Sequence, residues 1–229
     1  MSPHPPARAV GLEILALLLA ATCAGCDRPE TLLCGSCRQS IRPEPLVRRT
    51  PAGLEVRAAM PFESVAARCI RRMKDDGETV LARPLGSALG EVVDVLEARP
   101  DADRPLHLVP IPTSVAAFRR RGYRVPELLI RRAGRLPDRL LVLRGRRTDQ
   151  RGLDSVSRAE NVCGSMRARR VLEGETVVLV DDVVTTGATF DEAARALTDA
   201  GAHVLAAVAL AATPRHSERN VNASGTRSN

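Results

Sequence analysis

From Leu54 to Thr213 the chain alternates short aliphatic runs with amphipathic stretches. The runs Leu54–Met60, Leu106–Ile111, Leu140–Arg144, Val177–Asp181 and His203–Ala211 have the length and aliphatic content of strands. Between them, Phe62–Lys74, Thr79–Ala98, Val125–Gly134 and Ala188–Ala200 carry apolar residues at helical spacing. Strands alternating with helices predict an α/β fold, with a mostly parallel central sheet and flanking helices on both faces. Val177–Val180 is apolar without a break, which marks a central strand buried on both sides.

Outside this region the pattern changes. Leu12–Ala21 (LEILALLLAA) is apolar apart from Glu13. As a signal-peptide core it would make Cys23 or Cys26 a lipoprotein cysteine. Glu13 within the run, and no usual Leu-Ala-Gly pattern before either cysteine, favour a short buried or partner-docking helix. The run is far too short to span a bilayer, so no membrane span and a cytoplasmic location are expected. Arg42–Gly53 reads as a linker, and the polar tail from Pro214 has little to bury and reads as disordered. The expected organisation is an N-terminal helix, cysteine module and linker over 1–53, a main domain over 54–213 and a tail over 214–229.

Composition refines this picture. At 44% hydrophobic residues the core is ample, but only Phe62, Phe118, Phe190 and Tyr123 are aromatic, so it must be aliphatic. The net charge of +7 comes almost entirely from arginine, since Lys74 is the only lysine. Guanidinium binds oxyanions bidentately, which suits phosphate, pyrophosphate or nucleic acid. A GC-rich coding sequence would produce the same bias, so the weight falls on local clusters. Arg119, Arg120, Arg121 and Arg124 follow one another with no acid among them. Arg144–Arg158 holds Arg144, Arg146, Arg147, Arg151 and Arg158 around Gly145 and Gly152, and reads as a long, lid-like surface loop. Lys74 ends an amphipathic helix within reach of a phosphate, although a lysine at a helix C-terminus is commonplace. Cys69 and Cys163 read as ordinary buried thiols, His203 as the start of a strand, and the histidines show no partnering pattern.

The segment Thr176–Phe190, TVVLVDDVVTTGATF, carries the most chemistry. Asp181 and Asp182 arrive at the carboxyl end of a buried strand, where open α/β sheets place their ligand crevice. Thr185, Thr186, Gly187, Ala188 and Thr189 then turn the chain into a helix, offering backbone N–H groups, three hydroxyls and a helix N-terminus to one phosphate. Gly187 suits a positive φ or a close approach of backbone to the anion. Two adjacent carboxylates beside a phosphate need compensation, which ribose hydroxyls or a hydrated Mg²⁺ would provide. A strand followed by an ordinary Asp/Thr N-cap is common, and only the full ordered combination outweighs it.

Cys23, Cys26, Cys34 and Cys37 form two CxxC pairs separated by seven residues. Four thiolates at this spacing can close around a structural Zn²⁺; a redox CxxC or chance clustering are the alternatives. Reduced thiols in the cytosol favour zinc over disulfides.

VVLVDDVVTTGAT resembles the phosphoribosyl pyrophosphate-binding motif of type I phosphoribosyltransferases, and the chain as a whole resembles the ComF/GntX family. The residues that carry the resemblance are Cys23–Cys37, Val109–Pro112, Arg119–Tyr123, Thr148–Gln150, Arg158–Val162 and Val177–Thr189. It implies the type I phosphoribosyltransferase fold, with Asp181 and Asp182 on the ribose and Thr185–Thr189 around the 5′-phosphate. It also makes Thr113 and Ser114 candidates for pyrophosphate contact. Arg119 and Arg121 are candidates on charge. One departure stands out: the family usually continues RGFNQ, whereas Arg121–Val125 reads RGYRV. The expected ligands are phosphoribosyl pyrophosphate with Mg²⁺ or a nucleotide-like molecule. Three functions follow: a phosphoribosyltransferase, a sensor of phosphoribosyl pyrophosphate, or an accessory factor for DNA uptake that binds single-stranded DNA and DNA-processing proteins. The scarcity of aromatic residues argues against base stacking and leaves arginine–backbone contacts.

Overall fold

The structure, a computed structural model, describes residues 21–98, 105–144 and 163–214. The run before Ala21, most of the Arg144–Arg158 loop with the Thr148–Gln150 and Arg158–Val162 motifs, and the tail beyond Pro214 lie outside these residues.

Four parallel strands make the body of the sheet: β2 (Glu55–Pro61), β7 (His203–Ala212), β6 (Thr176–Val184) and β3 (Leu106–Pro110). A fifth, β1 (Leu46–Arg49), pairs antiparallel with β2 and gives the order β1-β2-β7-β6-β3. The α/β reading with a mostly parallel sheet is thus borne out. The expected linker Arg42–Gly53 needs correcting, because β1 lies inside it. With two arginines in four residues, β1 shows no apolar alternation and forms only because β2 offers it a ladder. Leu140–Arg144 also differs from its expected place. Its strand β4 (Leu141–Leu143) pairs with β5 (Met166–Ala168) in a separate antiparallel ribbon.

Alternation along β6 divides the core. Val178 and Val180 pack on one face with Met60, Ile70, Leu89 and Ile130, while Val177 and Leu179 pack on the other with Val56, Phe190 and Leu197. The first face is covered by α2 (Ser64–Arg71), α3 (Ala82–Glu97) and α5 (Val125–Arg132); the second by α6 (Ala188–Thr198) and the ribbon. β7 lines both cores with small residues, Ala206 and Val208 on one side, Ala207 and Ala209 on the other. Gly86 lets α3 approach α5, since a Cβ there would sit 2.4 Å from Arg132 Cβ.

The predicted helix Phe62–Lys74 ends differently from its pattern: α2 runs into a π-helical turn, Arg72–Asp76, and a 3₁₀ turn at Thr79–Leu81 then leads into α3. The outer edge of β3 receives a hydrogen bond from Asp138, whose N–H donates to the Leu108 carbonyl. His107 on β3 lies 3.1 Å from Asp138 and 3.4 Å from Glu175, so this histidine is partnered after all. Cys69 is buried as expected, but Cys163 is exposed. No described helix is long and apolar enough to cross a membrane.

Candidate functional site

β6 continues through both aspartates to Val184, longer than its apolar run, because Asp181 and Val183 stay in register with Ala209 and Ala211 of β7. Asp182 is buried and Asp181 partly so. The Asp182 N–H donates to Asp181 Oδ1 at 2.8 Å, which turns the first carboxylate back onto the strand. Burial and the neighbouring Asp182 carboxylate push the Asp181 carboxyl up to about 8, with the Asp182 N–H and Lys74 opposing them.

Thr185 and Thr186 follow, exposed, and Gly187 takes φ 92° before α6 begins at Ala188. A Cβ on Gly187 would meet Thr50 Cγ2 at 2.8 Å, so both conformation and space require glycine here. Thr50 belongs to the turn between β1 and β2. That turn is closed by Gly53 N–H on the Thr50 carbonyl and Leu54 N–H on Thr50 Oγ1, and the Ala52 N–H donates to Asp191 Oδ2 of α6. The stretch expected as linker therefore forms one wall of the Thr185–Thr189 turn. Only packing could reveal it.

Thr113 and Ser114 lie beyond the neighbouring strand, where the Ile111 N–H donates to the Val180 carbonyl and holds β3 alongside β6. Ser114 also has a structural task. It caps helix α4 (Val115–Arg121), its Oγ accepting from the Ala117 N–H at 3.2 Å. Arg119 is exposed on α4, whereas Arg121 is half-buried with its Nε unpartnered. The unusual Arg124 stacks its guanidinium 4.2 Å over the Phe118 ring and lies 3.6 Å from Glu127. Glu127 is buried and also pairs with Arg131 and Arg139. Arg124 is thus tied into a packed network. A cleft of about 260 Å³ opens beside Thr113, between Pro110–Pro112 and the ribbon, lined also by Arg124, Arg139 and Arg169.

Two further side chains join the site. Lys74 Nζ lies 3.1 Å from Asp182 Oδ1 and 3.0 Å from Oδ2. The Tyr123 hydroxyl donates to the Met73 carbonyl, next to Lys74. The only sequence signal for Lys74 was its being the sole lysine.

The four cysteines come together as their spacing predicts, all sulfurs within 4.8 Å of one another, with Cys26 alone exposed. The Cys26–Cys34 separation of 3.7 Å matches the edge of a tetrahedron with Zn–S bonds of about 2.3 Å. The Ser36 hydroxyl and the Cys37 N–H draw the Cys34 thiol down to about 6, while burial and the other sulfurs push Cys37 up. The set is compatible with a structural zinc. The module is docked firmly: a Cβ on Gly25 would meet Val65 of α2 at 2.8 Å, Asp27 pairs with Arg68 and Arg72, and Arg72 donates to the Thr22 carbonyl at 3.2 Å.

A parallel sheet whose inner strand delivers two aspartates into a glycine-bearing turn defines a class. The family model of the phosphoribosyl transferase domain matches residues 112–227, and the chain belongs to that family. It is similar to Competence protein ComFC of Bacillus subtilis (strain 168), with 26% identity over 184 residues, covering 78% of this chain and 72% of that one. Taken with the domain match, this makes it a ComF-like protein of phosphoribosyltransferase type. A shorter likeness, 44% identical over 61 residues, is to an orotate phosphoribosyltransferase of Rhizorhabdus wittichii, covering 26% of this chain and 31% of that one.

Proposed function

We propose that the chain binds phosphoribosyl pyrophosphate at the carboxyl end of β6 and transfers the phosphoribosyl group to an acceptor. The observation that carries this is the delivery of Asp181 and Asp182 by one strand directly into the Gly187 turn. That places two diol acceptors beside a cluster of N–H and hydroxyl donors. In this reading the Thr185–Thr189 turn holds the 5′-phosphate and the aspartates take the ribose hydroxyls. Thr113, Ser114, Arg119 and Arg121 face the pyrophosphate. The described residues bring only two carboxylates here, so Mg²⁺ would arrive on the pyrophosphate, where it neutralises charge on the leaving group. In the transfer the C1–oxygen bond to pyrophosphate breaks and a bond from the acceptor to C1 forms. The carboxylates favour the positive charge that develops at C1. The four cysteines hold a zinc that shapes the N-terminal module, and the protein works in the cytoplasm, where its thiols stay reduced.

Titration of phosphoribosyl pyrophosphate with Mg²⁺ tests this. The wild type is expected to give binding heat, and an Asp181→Asn/Asp182→Asn variant at least roughly tenfold weaker affinity. Equal, negligible heats from both would sink the proposal. Pyrophosphate release across a panel of nucleobases then separates a transferase from a sensor.

A second reading is binding of single-stranded DNA as an accessory factor for DNA uptake, with DNA-processing proteins as partners. It is favoured by Arg167 and Arg169 on the ribbon, which are exposed, have no side-chain partner among the described residues, and line a groove of about 330 Å³ with Arg144 and Arg170.

A further inference from the structure

We propose that Lys74 is an anion-binding residue of this site, held by Asp182 in the free protein and released to a phosphate or pyrophosphate oxygen on binding. The proposal rests on the donor-site reading above and adds to it a residue that the reading does not assign.

Its composition sets Lys74 apart. Of 34 basic residues it is the only lysine. Elsewhere the chain meets every demand for positive charge with arginine, so surface solvation gives no reason for the exception. A guanidinium is wide, planar and suited to two-point contacts, whereas an ammonium is a compact point charge with three donors that fits a narrow site.

Geometry then gives the lysine its task. Its Nζ spans both oxygens of buried Asp182, at 3.1 Å and 3.0 Å, and the side chain keeps about a quarter of its surface (27%) open. In this pose the carboxylate is masked from a diol and the ammonium from an anion. A ligand carrying both groups satisfies each of them in one exchange, so no buried charge is left unpaired. A ligand with only one would leave a charge uncompensated.

The backbone beneath the lysine is built for placement. Lys74 sits on the π-helical turn Arg72–Asp76, an irregularity that occurs mostly as single turns at functional sites. The turn is pinned on two sides. Tyr123 donates to the Met73 carbonyl, and Arg72 donates to the Thr22 carbonyl at 3.2 Å and to Thr22 Oγ1 at 3.3 Å. A solvated lysine at a helix end needs no such bracing.

Because there is one lysine, ¹³Cε-lysine labelling of the full chain gives a spectrum of this side chain alone. Phosphoribosyl pyrophosphate with Mg²⁺ is expected to shift its resonance, with the affinity found by calorimetry. Lys74→Gln is expected to weaken binding roughly ten- to a hundredfold, and Lys74→Arg not to restore it. Calorimetric binding with an unmoved resonance, or with undiminished affinity in Lys74→Gln, overturns the proposal and leaves the donor site standing. No binding by the wild type overturns both. Should Lys74→Gln fail to fold, the wild-type resonance decides alone.

Discussion

Asp181 sets ligand binding against stability. Its carboxyl would ionise near 3.8 in the unfolded chain, but burial and Asp182 push it up to about 8 in the fold. Between those values the folded chain keeps a proton that the unfolded chain has lost, so stability falls as pH rises through the window. Asp181→Asn removes that fall. Thermal melts should show the variant gaining on the wild type, more at about pH 8 than at about pH 5, although it no longer binds ligand. Equal slopes in both proteins would place the burden on another group. At this scale much of the site was legible in the sequence. Asp181, Asp182 and Thr185–Thr189 are contiguous, and contiguity survives any packing. Thr50 was not legible, because its contact with Gly187 exists only once β1 has folded over the turn.

Among the elements, long apolar segments were read well and short polar ones poorly. β6 and β7 form long ladders buried on both faces, which fixes their pattern in the sequence. β1 and β5 have four and three residues and take their conformation from a partner. The π-helical turn after α2 was equally hidden, since a helical run carries no mark of one extra residue in a turn. The ribbon tests the DNA reading. Replacing Arg167 and Arg169 with alanine should weaken single-stranded DNA binding uniformly across sequences and reduce its salt dependence by about one unit of log–log slope. An affinity unchanged by salt in the wild type would exclude a backbone-charge mechanism.

At the scale of the molecule, the cysteine module and the donor site share one joint. Thr22 and Asp27 hold Arg72, and Arg72 opens the turn that carries Lys74. The chain is therefore expected to purify with about one zinc per molecule. Chelation should cost about 2 kcal/mol or more, roughly 4–8 °C in melting temperature, and should weaken phosphoribosyl pyrophosphate binding as well. A metal-to-protein ratio near zero in reduced, chelator-free protein would end this expectation. Neither border of the main sheet is an open template. β1 is four residues long, carries two arginines and lies between Pro45 and Pro51, while the border at β3 is met by Asp138 and closes on Pro110. Lateral growth by adding a strand from another chain is disfavoured at both borders. The molecule can thus expose a long hydrogen-bonded sheet in a crowded cell without seeding aggregates, and any self-association would have to use its helical faces.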